Sequence, residues 1–494
     1  MNGDGHNLTE EAVQAALRRQ PHLLMRLAEN ALTVAESMRD NYFRNTSKFV
    51  AALRQAIHLG QQGKRHDPIL SPVSVREAQW ANFGDEVVTF IDGGIGSVEI
   101  SSQVPILLRV GSYCVRTGET RLNRREQFGY YPVILGDLEG GSKDRKDFPD
   151  IVRITAELLG GLSALEKTPD LRVLMFHGPL VYLVGSYAGH TPFTEHDIDL
   201  FLHHYTPDNT AAFRLKEDFL KEAYLEIYPK MTTVPNEWVN RRLFEPLAWM
   251  AFLYRRLIAI ARSRSPVPII AGVVERGELR EFSERELLDR VFRGLRAKGN
   301  SDFFNTLFGR TDLNSPKALL DKLCYNDPLL LGMILNPGEM SDPWTVDKYH
   351  GLRKGNVCLP GESREEVVDF SRLSPSSNWG FPLITGAYLH VSETTNPVRV
   401  EVFSELGESQ ILEAVRRSYL YSRLLPGYGF PVGLDIADKY AKVPAWMTNG
   451  YGKLIRWQLG VSLQKGEISD ADMRRILVQA IYLTHRDWLF RPKV

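Results

Sequence analysis

Two polar side chains that could bind a metal ion follow short apolar runs of the chain. Asp92 comes directly after residues 87–91 and is followed by Gly93 and Gly94, and His177 comes directly after residues 171–176. A carboxylate beside glycines can reach a cleft while the backbone stays close to a ligand. Carboxylate oxygens are preferred ligands of Mg²⁺ and Mn²⁺. Asp-Gly-Gly is also ordinary turn chemistry, so this motif alone leaves a metal site and a simple turn open.

Further carboxylates lie in two segments with helical patterns. Glu157 belongs to an amphipathic helix predicted over residues 151–165; a Glu beside an apolar face is costly unless it is paired or ligated, and a solvent-facing Glu is the alternative. Pro431 is a good first residue for a second helix. In that helix Asp435 and Asp438 are three residues apart and therefore share one side. The alternative for Asp435 is a favourable charge in the first turn.

The elements that must position these residues alternate between strands and helices. Apolar runs predict strands at residues 87–91, 104–110, 112–116, 171–176 and 269–274, and an antiparallel pair at 382–390 and 398–403. With the helix at 151–165 between strands, this order predicts an α/β protein with a mixed sheet flanked by helices. Ligand sites of such sheets lie beyond the carboxyl ends of strands. We expect a helical arm and linker at residues 1–72, a main domain at 73–445 and a helical extension at 446–494.

Composition excludes several classes of protein. Lys+Arg and Asp+Glu are both 60, giving a net charge of +0, so nucleic-acid binding would need a local basic face. The 3 Cys have no metal-ligand spacing, which argues against a zinc module and a disulfide framework. The first residues are polar, unlike a signal peptide, and the apolar residues 246–261 are interrupted by Arg255 and Arg256, unlike a membrane span. We expect a soluble cytoplasmic protein.

Two polar surfaces have both a functional and a structural interpretation. The basic residues that could contact a phosphate backbone are Arg255, Arg256, Arg262 and Arg276; a solvated helix face is the alternative. Residues 193–205 are rich in His and Asp and alternate like a strand, which predicts a surface strand or hairpin. The same segment could supply a replacement metal ligand.

Taken in order, these motifs resemble the NurA family of nucleases, which work with the HerA translocase in processing DNA ends. The resemblance covers roughly residues 80–445. The matching segments are residues 90–94, 153–157, 176–180, 272–274, 326–330, 338–341, Tyr388, residues 399–402 and residues 430–438.

The resemblance implies a ribonuclease H-like core and a homodimeric, Mn²⁺- or Mg²⁺-dependent deoxyribonuclease. It also implies a HerA-like hexameric ATPase as partner, in DNA repair or antiphage defence. The catalytic and metal-binding residues that it implies are Asp92, Glu157, His177 and Asp438.

Four positions depart from the family pattern. His177 stands where the family has Asp, and imidazole is a poorer ligand for Mg²⁺ than a carboxylate. Phe430 and Asp438 stand where the family has Tyr and His, and Glu275 stands where it usually has Lys. Two hypotheses follow: a rewired carboxylate–imidazole site that is still a nuclease, or a decayed site in a subunit that binds DNA and regulates or assembles with the ATPase.

Overall fold

A computed structural model of the chain describes residues 19, 21–61, 69–97, 106–121, 123, 126–135, 142–181, 193–205, 209–222, 244, 246–323, 325–346, 357–358, 367–368 and 381–482. Several predictions fall partly outside these residues. They concern the beginning of the helical arm, the linker at 62–68, residues 104–105, and the end of the C-terminal extension. Within the described residues, no helix is long and apolar enough to cross a membrane.

The strands, in chain order, are β1 (Val73–Ser74), β2 (Val87–Ser97), β3 (Ile106–Arg116), β4 (Glu126–Leu135), β5 (Leu171–His177), β6 (Ile269–Val274), β7 (Glu339–Met340), β8 (Trp344–Thr345), β9 (Val357–Cys358), β10 (Val367–Val368), β11 (Ile384–His390) and β12 (Val398–Phe403).

The α-helices, in chain order, are α1 (Pro21–Ser37), α2 (Arg44–Gln61), α3 (Ser142–Lys167), α4 (Glu195–Tyr205), α5 (Asn209–Glu222), α6 (Pro246–Arg262), α7 (Asp289–Ala297), α8 (Phe303–Phe308), α9 (Pro316–Leu323), α10 (Asp327–Gly332), α11 (Gln410–Ser422), α12 (Val432–Ala441), α13 (Ala445–Gln464) and α14 (Ala471–Tyr482). Short π-helical turns occupy Met38–Phe43 and Phe282–Leu288, and 3-10 turns occupy Trp80–Phe83 and Ser404–Leu406.

The main sheet of the described residues is mixed and has ten strands. Its strand order is β1-β7-β11-β12-β6-β5-β2-β3-β4, with β8 paired to β11. The pairs β2/β5 and β5/β6 are parallel, and the other pairs in this sheet are antiparallel. The strands β4-β3-β2-β5-β6 form a ribonuclease H-like core: a meander of three strands, then two strands parallel to the first. The predicted mixed α/β fold is confirmed.

The chain divides into two compact units. The described residues of the first come from 1–69, 289–324 and 482–494; those of the second come from 70–288 and 325–481. In the first unit, the aromatic rings of Phe49 and Phe304 pack with centroids 6.0 Å apart, so helices from the N-terminal arm and from residues 289–324 share a core. The second unit holds the sheet. The sequence-based division into an arm, a main domain and an extension, with boundaries at residues 72 and 445, stays a prediction.

The strand that carries Asp92 is longer than predicted. Its parallel pairing with β5 ends at Ile91 opposite Phe176, where the apolar run also ends. Antiparallel pairing with β3 continues through Asp92 opposite Gly111 to Ser97. The predicted strand end at residue 91 is therefore wrong, because backbone pairing on one side outlasts the apolar run. The predicted break at residue 111 is also wrong, because Gly111 pairs with both neighbouring strands and β3 is one strand.

Two other segments are helical where the sequence indicated otherwise. Residues 193–205, predicted as a surface strand, contain α4. Thr194 and Asp197 cap this helix reciprocally: each side chain accepts a hydrogen bond from the other's backbone N–H, at 2.8 and 3.1 Å. The helix predicted over residues 151–165 begins nine residues earlier, since α3 runs from Ser142 to Lys167.

Candidate metal centre

Strand alternation places Asp92 and His177 on the same face of the sheet. Phe90 and Met175, each two residues earlier on β2 and β5, belong to one buried core cluster that also contains Leu434 of α12. Because successive side chains of a strand point to opposite faces, Asp92 and His177 follow Phe90 and Met175 onto the face that α12 covers. The two strands are adjacent and parallel, so both polar side chains appear at the same level.

Glycines in the sheet let α12 lie directly on β2 and β3. A Cβ atom added to Gly111 would collide with the carbonyl oxygen of Ala437, and one added to Gly94 would collide with that of Ala441. Any side chain at these positions would push the helix outward. The glycines after Asp92 are therefore part of a strand and not a turn. Gly94 and Gly111 let α12 pack directly on the sheet, and this brings Asp438 to the level of Asp92.

Asp92, His177 and Asp438 converge on one point. One donor atom from each of these residues lies within 4.8 Å of the donor atoms from the other two, the geometry of a group that could hold a metal ion. Nδ1 of His177 donates to Oδ2 of Asp92 at 3.0 Å, and the backbone N–H of Gly93 donates to Oδ1 of Asp92 at 2.8 Å. Asp92 is buried, whereas the side chains of His177 and Asp438 are each 25% exposed. The cluster is accessible from one side.

Negative charge dominates the electrostatics of this cluster. Burial alone would lower the pKa of His177, but the hydrogen bond to Asp92 and the charges of Asp92, Asp438 and Glu157 outweigh burial and raise that pKa. The imidazole therefore holds its proton more firmly than a free histidine does. Carboxylates that favour a proton on a neighbouring imidazole also favour a metal cation in its place.

Glu157 approaches Asp92 from the opposite face of the sheet. It lies on α3, and a Cβ atom added to Gly93 would be 2.5 Å from its Oε1. Arg153, one turn earlier, donates to the same oxygen at 2.6 Å. Burial raises the pKa of Glu157 to about 7, with the charge of Asp92 adding to the rise and Arg153 opposing it. Glu157 is thus electrostatically tied to the cluster but is not one of the three converging side chains, and its role as a ligand stays a prediction.

A buried ion pair supports the turn that follows His177. Glu401 accepts a hydrogen bond from the backbone N–H of Leu180 at 2.9 Å and another from Nε of Arg399 at 2.7 Å. Glu401 is fully buried on β12, and Arg399 nearly so. Gly272 on β6 leaves room for this turn, since an added Cβ atom would lie 2.7 Å from the carbonyl oxygen of Gly178. The Arg399–Glu401 pair therefore fixes the chain directly after a candidate ligand.

One aromatic ring packs against the cluster, and a tyrosine lies two residues before it in the chain. The ring of Phe430, which is buried, lies 5.1 Å from the ring of His177, centroid to centroid. Tyr428 is partly exposed, and burial together with a hydrogen bond to Asp435 raises its pKa to about 12. Tyr428 therefore stays a neutral phenol, while Phe430 limits the room in which the imidazole can turn.

The four candidate phosphate-binding arginines have different environments. Arg255 and Arg256 each pair with a carboxylate, Glu222 and Asp218, at 3.4 Å. Arg262 donates to the carbonyl oxygen of Glu405 at 2.8 Å. Arg276 extends into solvent with its side chain 91% exposed. DNA contact by these residues stays a prediction.

The His- and Asp-rich segment uses its described carboxylates for structure. Asp197 caps α4, and Asp199 accepts a hydrogen bond from Nζ of Lys216 at 2.7 Å. Within the described part of the chain, the group that could hold a metal ion is the one at Asp92, His177 and Asp438.

The converging residues fit a hard divalent cation. They provide two carboxylates and one imidazole, a donor set suited to Mn²⁺ and less suited to Mg²⁺. Their donor atoms lie within 4.8 Å of one another, so side-chain rotation could bring them to one cation. Fold and site together define a class: a ribonuclease H-like protein with a candidate metal centre on its central strands.

The chain belongs to the NurA family, because the model of the NurA domain matches residues 86–443. The match contains all four predicted site residues, and the resemblance seen in the sequence is confirmed. Among curated proteins, none matches the chain.

Solved NurA structures are similar to the chain only at low identity. The NurA nuclease from Sulfolobus solfataricus has 12% identity and a TM-score of 0.44, over 87% of this chain and 98% of that one. A NurA structure with manganese has 10% identity and a TM-score of 0.33, over 82% and 96%. A NurA structure bound to dAMP and manganese has 11% identity and a TM-score of 0.32, over 87% and 94%.

Sequence reasoning did not single out two residues near the site, one that pairs with a candidate ligand and one that supports the turn after another. Lys442 pairs with Asp438 at 2.8 Å; its spacing of four residues on a helix was the available signal. Glu401 was seen only as part of a family strand. A Glu within an otherwise apolar strand, two residues after an Arg on the same face, is the pattern that could have indicated a buried ion pair.

Proposed function

We propose that this protein is a divalent-metal-dependent deoxyribonuclease that processes DNA ends, with Mn²⁺ as the favoured ion. The observation that carries the proposal is the convergence of Asp92, His177 and Asp438 in a chain of the NurA family. The oxygen donors of the two aspartates and a nitrogen of the imidazole would hold the cation. A bound cation of this kind neutralises a scissile phosphate and lowers the pKa of a water molecule that attacks it.

The side chains around the cluster would divide the remaining work. The Asp92 carboxylate is fixed by the Gly93 N–H and by His177, so its orientation does not depend on the cation. Phe430 packs on His177 and keeps bulk water from that side of the ring. Glu157, with a pKa raised to about 7, can exchange a proton near neutral pH beside Asp92, as general acid–base groups do.

A cleavage assay with one matched pair of variants tests the proposal. Linear DNA is incubated with the protein and Mn²⁺, and Asp92→Asn is compared with Asp85→Asn, an exposed aspartate just before β2. We expect Asp92→Asn to reduce cleavage by about 10³-fold or more, since a metal ligand is lost, and Asp85→Asn to change it less than about twofold. A chelator should abolish cleavage by the unaltered protein.

Two results would count against the assignment in different ways. Full cleavage by Asp92→Asn would show that the site lies elsewhere. DNA binding without cleavage in any divalent ion, with or without an ATPase partner, would favour the other hypothesis, a decayed subunit that holds DNA and regulates the ATPase. The convergence of three donor side chains favours the nuclease, because a decayed site has no need to keep acidic residues together against their repulsion.

We further propose that the protein works in the cytoplasm as a homodimer with a HerA-like hexameric ATPase, in DNA repair or antiphage defence. Membership of the family supports these assignments. Exposed apolar side chains on α1 and α13, such as Leu32, Trp446 and Trp457, offer surfaces for such assembly. Light scattering on the purified protein tests the dimer, and co-purification with the ATPase tests the complex; a monomer that binds no ATPase would refute both.

A further inference from the structure

Lys442, just after the end of α12, forms an ion pair with Asp438, one of the candidate metal ligands. Nζ of Lys442 lies 2.8 Å from Oδ2 of Asp438, and the lysine side chain is 70% exposed. One turn earlier, Lys439 pairs in the same way with Asp435 at 2.7 Å. The two pairs are alike in spacing and exposure, but only Asp438 belongs to the converging group. The Lys439–Asp435 pair is therefore a matched control for the effect of the Lys442–Asp438 pair on the candidate metal centre.

The Lys442 ammonium and a divalent cation compete for the same carboxylate. Both are positive, and charges a few ångström apart repel strongly near a protein surface. An exposed ion pair contributes little to hold the lysine in place. When a cation binds at Asp92, His177 and Asp438, the ammonium is therefore expected to leave Asp438.

The backbone of Lys442 cannot leave with its side chain. Its N–H donates to the carbonyl of Asp438 at 2.9 Å, and its carbonyl accepts a hydrogen bond from Nη1 of Arg109 at 2.9 Å. The preceding carbonyl, that of Ala441, is seated against Gly94. Only the flexible four-carbon stem can move, so a displaced ammonium stays at the rim of the site. The neighbouring Asp435 already pairs with Lys439.

We propose that Lys442 exchanges Asp438 for a backbone phosphate of the nucleic-acid substrate when the site takes up its cation. The lysine neutralises a ligand carboxylate in the cation-free protein and contacts the phosphodiester in the loaded one. This inference rests on the proposed function of the same site. It gives the site a positive side chain beside the metal, at a position that the family motifs do not include.

Lys442→Met and Lys439→Met, compared in two binding measurements, test the proposal. The first is Mn²⁺ affinity without DNA, followed by the electron paramagnetic resonance signal of the free ion. Lys442→Met should bind Mn²⁺ about 2–5-fold more tightly, the range that removal of one exposed ion pair allows. Lys439→Met should match the unaltered protein.

The second measurement is affinity for a phosphorothioate DNA oligonucleotide in saturating Mn²⁺ at several salt concentrations. Lys442→Met should bind about 5–10-fold more weakly, and the slope of log affinity against log salt should fall by about 1, because one phosphate contact is lost. Lys442→Arg should keep most of the affinity and the slope. Opposite effects of one substitution on metal and DNA binding cannot arise from simple misfolding.

The outcomes separate this proposal from the one on which it rests. Equal Mn²⁺ affinity and equal salt slopes in the two Met variants, in a protein that binds Mn²⁺ and cleaves DNA, would overturn the role of Lys442 and leave the nuclease intact. Weaker Mn²⁺ binding by Lys442→Met would also overturn it. An unaltered protein that binds no Mn²⁺ would overturn both proposals.

Discussion

Asp92 and Asp327 are both buried carboxylates of the unit that holds the sheet, and their surroundings differ. Asp327, at the first turn of α10, accepts hydrogen bonds from the backbone N–H groups of Phe282 and Ser283 at 3.2 and 2.8 Å and from the hydroxyl of Tyr388 at 3.0 Å. Asp92 faces a second carboxylate on its own side of the sheet, Asp438, and a third, Glu157, on the other. The described polar neighbours of Asp327 are donors, whereas Asp92 has two donors, the Gly93 N–H and His177, together with two neighbouring acids.

The difference separates a carboxylate with a structural role from one that we propose to be a metal ligand. The donors around Asp327 come largely from the backbone, so they cannot turn away, and they stabilise the charge that burial disfavours. The acids around Asp92 cannot stabilise one another; only protons, basic side chains or a cation can. Burial alone does not distinguish the two, and the identity of the neighbours does.

Removing the structural carboxylate should have the larger effect on folding. Asp327→Ala leaves two buried N–H groups and a phenol without their acceptor, so we expect a loss of about 3 kcal/mol in the free energy of unfolding. Tyr388→Phe removes only one donor and should cost about 1 kcal/mol. Urea denaturation measures both. Mn²⁺ affinity of the folded variants should stay within about twofold; a tenfold loss would mean that the two carboxylates are not independent.

The acids around Asp92 should make the cation-free protein less stable as pH rises. Glu157 has an ordinary pKa of 4.5 and a pKa of about 7 in the folded protein, so the folded state binds its proton more tightly than the unfolded state does. The stability from that proton is present below pH 4.5 and is lost as pH rises through about 7. The raised pKa of His177 acts in the same direction.

Glu157→Gln isolates the contribution of one acid. With a chelator present, the unaltered protein should lose on the order of 1–3 kcal/mol more than Glu157→Gln between pH 5 and pH 8, as measured by urea denaturation. Equal pH dependence in the two proteins would show that Glu157 is not protonated beside Asp92. Mn²⁺ should diminish the difference, because a cation supplies the positive charge that the proton supplied.

Glu401 combines features of Asp327 and Asp92. Its carboxylate accepts hydrogen bonds, as that of Asp327 does, and one donor, the Leu180 N–H, belongs to the turn that follows the candidate ligand His177. Glu401→Gln keeps the shape but loses one of two charge-assisted hydrogen bonds, so the turn after His177 should loosen. We expect Mn²⁺ affinity to fall about 10-fold, measured by titration calorimetry. Glu405→Gln, on an exposed pair with Arg262, is the matched control. If both variants bind Mn²⁺ normally, Glu401 has only a structural role.

Strand bounds were predicted well where the apolar run and the backbone pairing end at nearly the same residues. β5, β6 and the β11–β12 pair follow their apolar runs closely, because these strands are buried on both faces. β2 outlasts its apolar run, since glycines that carry no hydropathy signal are held there by β3 and α12. In residues 193–205 the alternating pattern also has buried Ile198, Phe201 and Leu202 at helical spacing. The reciprocal hydrogen bonds between Thr194 and Asp197 cap a helix and so favour the helical spacing over the strand-like alternation.

The candidate site was predictable in its members more than in its geometry. Motif order led to Asp92, His177 and Asp438, and strand ends led to two of them independently. Nothing in the sequence shows that Glu157 reaches Asp92 past Gly93 from the other face, because that depends on which side of the sheet α3 packs. The Lys442 contact was likewise invisible without knowing that Asp438 points into the site.

The close packing of α12 on the glycines of β2 and β3 also determines when the candidate metal centre can form during synthesis of the chain. Asp92 lies near the beginning of the family domain and Asp438 near its end. The ribosome must release almost the whole domain before the last aspartate can dock. A nascent or truncated chain would therefore lack Asp438 and, with it, a complete candidate metal centre.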